Sequence, residues 1–294
     1  MSAPKIANSD VYLPFNNQLK SAKGRLPAGS CDCHFHVFDE IEKYPFSPQR
    51  AYTPTRATQA DYDALREAYG IDRAVLVHPS VYGPDHRSFE ALLEKNNGWL
   101  RGVAVVHADT PDEDIARWHQ LGTRGTRINV LFENGPTMPQ IENIIDKVRP
   151  YGWHIQLFGD LVHVPELAPY IVKRGLDVVV DHLAHGEPAQ LIQSQGFKNL
   201  LELMREGTGW VKLSAPYRLS TNAPRYPEVT ALVNAFLDAN PRQAVWGTDW
   251  PHPHIRPPMP NDGDLVDLLF DWLPDEQSRN AVLVENPTRL YWSD

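Results

Sequence analysis

Residues 31–39 read CDCHFHVFD, from Cys31 through His34 and His36 to Asp39. Two histidines stand one residue apart in an apolar run. Read as a strand over residues 31–38, the stretch sends both imidazoles to the same face, because side chains alternate with period two. Two imidazoles on one face invite a metal ion. Whether they hold one depends on what the rest of the chain brings to them.

Working outward, the same kind of run recurs. Short β-branched or apolar segments at 31–38, 73–78, 101–106, 125–130, 154–158, 177–182, 210–214 and 244–248 predict eight strands. Between them, amphipathic segments at 59–69, 88–95, 112–121, 140–149, 164–173, 189–205 and 227–240 predict helices, with two more at 264–272 and 275–284. Thr58, Ser88 and Thr110 stand where N-caps belong, and Gly70, Gly122 and Gly175 where a left-handed residue ends a helix. Strand–helix alternation repeated eight times implies parallel strands with helical crossovers. Eight such units in 294 residues predict an α/β (β/α)8 TIM barrel, with a doubly wound sheet as the competing arrangement. Residues 1–29 are polar, with Pro, Asn and Lys, and read as an N-terminal extension that wraps the body or is mobile. Residues 30–294 read as a single domain.

Composition narrows the function classes. Hydrophobic residues make up 42% of the chain, enough for a substantial core. The net charge of −9 argues against a general nucleic-acid binder, yet allows a locally basic pocket for a small anion. The two cysteines, Cys31 and Cys33, are strand neighbours in poor geometry for a disulfide, and read as small core residues. With no signal peptide read at the N-terminus, the expected location is a reducing cytoplasm. No apolar run reaches the roughly 18 residues that span a bilayer, so no membrane partner is expected.

In a TIM barrel the chemistry sits at the C-terminal ends of the strands. Those ends carry His34 and His36 on strand 1, His78 and Ser80 on strand 2, and Arg127 and Asn129 on strand 4. Strand 5 brings Gln156, strand 6 Asp181, His182 and then His185. Strand 7 brings Lys212, Ser214, Tyr217 and Arg218, and strand 8 Thr248, Asp249 and His252. A lone strand histidine is usually a hydrogen-bonded core residue, and Lys212 fits an outward-facing position as well as the mouth. His119 and His163 read as surface residues. The convergence at one barrel end points instead to a shared site that includes His34, His36, His182 and Asp249.

These residues resemble the amidohydrolase superfamily, with its HxH on strand 1, a His after strand 6 and an Asp ending strand 8. The tail is more specific: Trp246-Gly247-Thr248-Asp249-Trp250-Pro251-His252-Pro253, then Asp262-Gly263, Asn286-Pro287 and Arg289-Leu290-Tyr291-Trp292-Ser293. With Tyr44-Pro45-Phe46-Ser47-Pro48 and Tyr52, it resembles the 2-pyrone-4,6-dicarboxylate lactonase branch over nearly the whole chain. The resemblance implies a carboxylic-ester hydrolase that opens the lactone ring of a small anionic substrate, as in aromatic-compound degradation. It implies Asp249 as general base, with His34, His36 and His182 around the scissile carbonyl. Tyr52, Arg127, Arg218 and His252 resemble the substrate-binding set, and Asn129 and Ser80 join them from the strand ends. The branch follows its strand-4 Arg with a basic pair, where this chain has Phe132-Glu133, and its strand-5 Tyr is absent near Leu157 and Phe158. A negative charge at that place repels a dicarboxylate. A muconolactone-type acid, sulfonated as in 4-sulfomuconolactone, or a sugar-acid lactone fits better than the pyrone dicarboxylate.

Lactone opening needs activated water and a stabilised oxyanion. Asp249 can take the water's proton, and the histidines can donate to the carbonyl oxygen. Arg127 and Arg218 can grip a carboxylate or sulfonate. The same His34, His36, His182 and Asp249 can supply one zinc with an open position for water. Against the zinc, strand 5 offers only His154, at its wrong end, and strand 4 ends in no Lys to bridge two metals. The resemblance leaves both outcomes open, since pyrone lactonases are metal-independent and other relatives carry zinc. Two reactions stand as alternatives: lactone isomerisation at the same mouth, and metal-dependent decarboxylation elsewhere in the superfamily. A non-enzymic binding protein would keep the arginines without needing Asp249. The Trp- and Pro-rich residues 250–260 can line the pocket or face a second copy in a homo-oligomer.

Overall fold

The computed structural model describes residues 12–131, 135–255 and 258–293. Eight parallel strands run in sequential order: β1 Cys31–Phe35, β2 Arg73–Val77, β3 Leu100–Ala104, β4 Thr123–Asn129, β5 His154–Phe158, β6 Val178–Val180, β7 Gly209–Leu213 and β8 Ala244–Trp246. A doubly wound sheet would reverse its order part-way. Here β1 meets β8 instead, through a parallel bridge between Phe35 and Trp250. The fold is a (β/α)8 barrel.

The helices are α1 Gln59–Tyr69, α2 Arg87–Lys95, α3 Asp112–Gln120, α4 Met138–Val148, α5 Leu167–Lys173, α6 Pro188–Leu191, α7 Gln195–Glu206, α8 Thr230–Ala239, α9 Asp262–Trp272, α10 Glu276–Asn280 and α11 Asn286–Tyr291. Helix α1 carries both of its expected ends. Thr58 forms a capping box with Asp61, and Gly70 closes the helix at φ 80°, which a side chain would resist. Ser88 and Thr110 are not caps. Helices α2 and α3 begin after His86 and Pro111, and the Thr110 hydroxyl accepts from the His107 N–H.

The helix expected over 189–205 is two helices, because Ser194 caps a fresh start by accepting from the Phe197 N–H. Residues 227–229 form a tight 3-10 turn ahead of α8. The segment expected to end at 284 runs on through a π turn, Ala281–Glu285, into α11.

One buried cluster fills the space between strands and helices, and a second includes Cys31, Cys33, Val75, Val103, Val179, Trp210 and Tyr291. The cysteine sulfurs are free and 3.7 Å apart. From the segment before β1, Phe15 packs on Trp250, and Tyr12 packs on Tyr52 and His254. No helix among the described residues is long and apolar enough to cross a membrane.

Candidate active site

Closure of β1 on β8 builds the site. Asp32 is fully buried and accepts four hydrogen bonds, from the N–H groups of His34 and Thr248 and from the hydroxyls of Thr248 and Tyr62. Burial pushes its carboxyl up to about 6 against the pull of these donors. Gly247 lets the two chains touch: a Cβ there would sit 2.7 Å from His34 Cβ and 2.9 Å from its nitrogen. Beyond the formal strand ends the pairing continues, with Asp249 N–H donating to His34 O and His36 N–H to Trp250 O, both at 2.8 Å. Strand β1 stops at Phe35 and its register shifts between Asp32 and Phe35. His36 therefore lies one residue past the strand expected over 31–38. The two imidazoles still converge, with His34 Nε2 3.3 Å from His36 Nε2.

Asp249 sits at the centre. Its Oδ1 lies 3.7 Å from His34 Nε2 and 3.8 Å from the Nε2 atoms of His36 and His182. Its Oδ2 accepts from Arg218 Nε at 3.0 Å, Arg218 Nη2 at 2.7 Å and Tyr217 OH at 2.7 Å. Oδ1 is buried with no hydrogen-bond partner among the described residues. Burial alone would raise this carboxyl, but the Arg218 guanidinium holds it ionised, well below the usual carboxylate range. The histidines are neutral. Burial lowers His36 to about 4 and takes His34 and His182 well below the ordinary imidazole value. Several of these residues hold left-handed backbone, Asp249 at φ 60° and the run His182–His185 at 49°, 55°, 68° and 42°. Such strain in non-glycine residues gathers at functional sites.

A second buried network lies behind His34. Lys212 points into the barrel, fully buried, with Nζ 2.5 Å from Gln156 Oε1 and 3.3 Å from His34 Nδ1. Asp181 Oδ1 lies 3.4 Å from Lys212 Nζ and from His34 Nδ1. Asp181 Oδ2 accepts from Arg127 Nε and Gln156 Nε2, each at 2.9 Å. Burial opposes both charges, and each offsets the other's shift.

The remaining expected residues scatter more. Arg218 is committed to Asp249 and to Pro253 O, rather than standing open at the mouth. Arg127 spends Nε on Asp181 and lies over the Phe158 ring at 4.4 Å. His252 is buried between Tyr217 OH and Asp262. The Asn129 side chain accepts from Leu131 N–H, and Ser80 opens a 3-10 turn. His78 is buried face to face with His86. His163 is exposed, and His119 is half-buried under a hydrogen bond from Trp153. Phe132 and Glu133 lie outside the described residues. The Lys212–Asp181–Gln156 network and the Tyr217 contact went unassigned from sequence. All four residues stood at strand ends, but nothing in one sequence says that a strand lysine turns inward.

The model of the family described as Amidohydrolase matches residues 31–292. The chain belongs to that family. A 2-pyrone-4,6-dicarboxylate hydrolase from Comamonas testosteroni is 34% identical over 92% of this chain and 92% of its own. A 4-sulfomuconolactone hydrolase from Hydrogenophaga intermedia is 33% identical over 99% of this chain and 98% of its own. A D-galactarolactone isomerase from Agrobacterium fabrum is 28% identical, over 90% and 92%. Among the described residues of this amidohydrolase, two His/Asp groups have ligand-type atoms within 4.8 Å of one another: His34, His36 and Asp249, and His34, Asp181 and His182.

Proposed function

We propose that this chain is a lactone hydrolase that opens the ring of a small anionic lactone with Asp249 as the base. The observation that carries the reading is the asymmetry of Asp249. One carboxylate oxygen is saturated by Arg218 and Tyr217, while the other is ionised, unpartnered and ringed by three imidazole nitrogens. A water beside Oδ1 gives up its proton there as its oxygen attacks the lactone carbonyl carbon. The carbonyl C–O ring bond then breaks, and the proton passes from Asp249 to the departing ring oxygen, leaving a carboxylic acid that releases its own proton to solvent as a carboxylate. A carboxylate so strongly stabilised is a weak base, so its contribution comes from holding the water in line rather than from basicity. The oxyanion of the tetrahedral step is met by the His34 Nε2–H group.

The spacing within the His34, His36 and Asp249 triple, 3.3–3.8 Å, approaches the tetrahedral edge of roughly 3.3–3.4 Å set by zinc–nitrogen bonds. The donor chemistry of this triple does not fit a resident ion, because His34 Nδ1 faces the Lys212 ammonium and its proton therefore belongs on Nε2. The steps above use only the protein's own groups.

The Arg127 terminal nitrogens, not used in its bond to Asp181, are the cationic donors for the substrate's carboxylate or sulfonate. The two hydrolase relatives support an anionic lactone of the pyrone or muconolactone type. The isomerase relative favours a second outcome at the same mouth, in which a substrate hydroxyl replaces water and the ring re-forms elsewhere. A panel of muconolactones, pyrones and aldonolactones tests the proposal: ring-opened acid should appear with at least one. Inactivity on all of them, with Asp249→Asn leaving the native activity intact, would overturn it.

A further inference from the structure

Lys212 lies inside the barrel on β7 with no exposed surface. A buried ammonium is costly unless each N–H meets an acceptor. Two hydrogen-bond acceptors face this one, Gln156 Oε1 at 2.5 Å and His34 Nδ1 at 3.3 Å, and the Asp181 carboxylate pairs its charge from 3.4 Å. Gln156 turns its oxygen to the lysine because its nitrogen donates to Asp181 Oδ2. Two hydrogen bonds and one ion pair therefore hold the charge of the buried ammonium.

His34 Nδ1 is thus an acceptor. A neutral imidazole holds one proton, so the His34 proton is on Nε2. The other end of the chain agrees independently. His36 Nδ1 lies 2.8 Å from Val77 O, a carbonyl that only accepts, so His36 carries its proton on Nδ1 and its Nε2 is bare. The two Nε2 atoms face each other at 3.3 Å, where one must donate and the other accept. Only His34 Nε2–H pointing to His36 Nε2 satisfies both ends. The hydrogen bonds then run one way, from Lys212 through His34 and His36 to the Val77 carbonyl.

We infer that Lys212 is a positioning residue that fixes the His34 tautomer, and that by the same contact it closes the His34–His36–Asp249 triple to a divalent metal ion. To ligate, His34 must move its proton to Nδ1, where it would face an ammonium at 3.3 Å. Without that ammonium, Nδ1–H would face Asp181 Oδ1 at 3.4 Å, the carboxylate pairing that supports metal-bound histidines. One lysine thus separates two chemistries on one set of ligands. The use of the His34 N–H in catalysis rests on the hydrolytic reading, whereas the tautomer and the closure to metal stand or fall without it.

Two measurements that need no substrate test the inference. The first is the long-range proton–nitrogen spectrum of wild-type protein labelled with 15N-histidine, with His34 assigned through His34→Gln. It should show His34 protonated on Nε2 and bare at Nδ1. The second is zinc affinity by competition with a chromophoric chelator. Lys212→Met should bind one zinc about 10- to 100-fold more tightly than wild type, the range seen when partners of ligand histidines change. Lys212→Arg, which keeps the charge, should bind it no better than wild type. A wild-type His34 protonated on Nδ1, or equal zinc affinity in wild type and Lys212→Met, would overturn the inference. Should Lys212→Met fail to fold, the wild-type spectrum decides alone.

Discussion

Asp249 and His36 carry the sharpest consequences for single residues. Asp249→Asn removes the proton acceptor while keeping the shape, so kcat should fall by about 10²- to 10⁴-fold with a smaller change in KM. Steady-state kinetics on the best lactone of the panel checks this, and an unchanged kcat would remove Asp249 from the chemistry. The histidines set a pH expectation. Burial holds His36 neutral down to about 4, so activity should stay level as pH falls from 8 to 5.5 and drop only near the value of His36. An acid limb near the ordinary imidazole value of roughly 6.5 would mean that a solvated histidine governs the rate. Asp249 and the HxH pair were legible in the sequence because their position at strand ends is a consequence of barrel topology. The commitment of Arg218 to Asp249 was not. An arginine beside a predicted pocket looks the same in sequence whether it grips substrate or a neighbouring carboxylate such as Asp249.

At the scale of the element, the strands and α1 were legible because apolar runs and cap residues are local signals. The break at Ser194 rests on a single local cap and the π turn at Ala281–Glu285 leaves the apolar pattern intact, so periodicity alone merged what the fold divides. The β1–β8 junction is where local and long-range structure meet. Its key residue, Asp32, gathers donors from β1, α1 and the segment after β8, which no local pattern around it signals. Asp32→Ala leaves two buried N–H groups and two hydroxyls without their acceptor, and should cost about 3 kcal/mol or more in urea unfolding. Gly247→Ala should cost about 1–3 kcal/mol, because its Cβ meets the His34 backbone. It should also lower activity by moving His34 away from Asp249. A Gly247→Ala protein with wild-type stability and kcat would show that the junction is not close-packed.

For the whole molecule, the buried histidines couple stability to pH. His36 is lowered to about 4 and His154 to about 3, both by burial, while the unfolded chain titrates near 6.5. The unfolded state then binds more protons below 6.5, so their contribution is complete above that pH and is lost as pH falls towards the folded values. Calorimetry should show the melting temperature falling steadily from pH 6.5 to pH 4, and a flat profile would contradict the buried, neutral assignment. The architecture itself was the most legible feature, since eight alternations leave few topologies. The substrate was the least, because it depends on loop side chains whose partners no local pattern reveals.

Delivery of water to a lactone carbonyl by Asp249 is read out by turnover in 18O-labelled water. One labelled oxygen should appear in the new carboxylate, and that product should be lost in Asp249→Asn. A ring-shifted lactone with no label, or labelled acid formed equally fast without the Asp249 carboxylate, would contradict it.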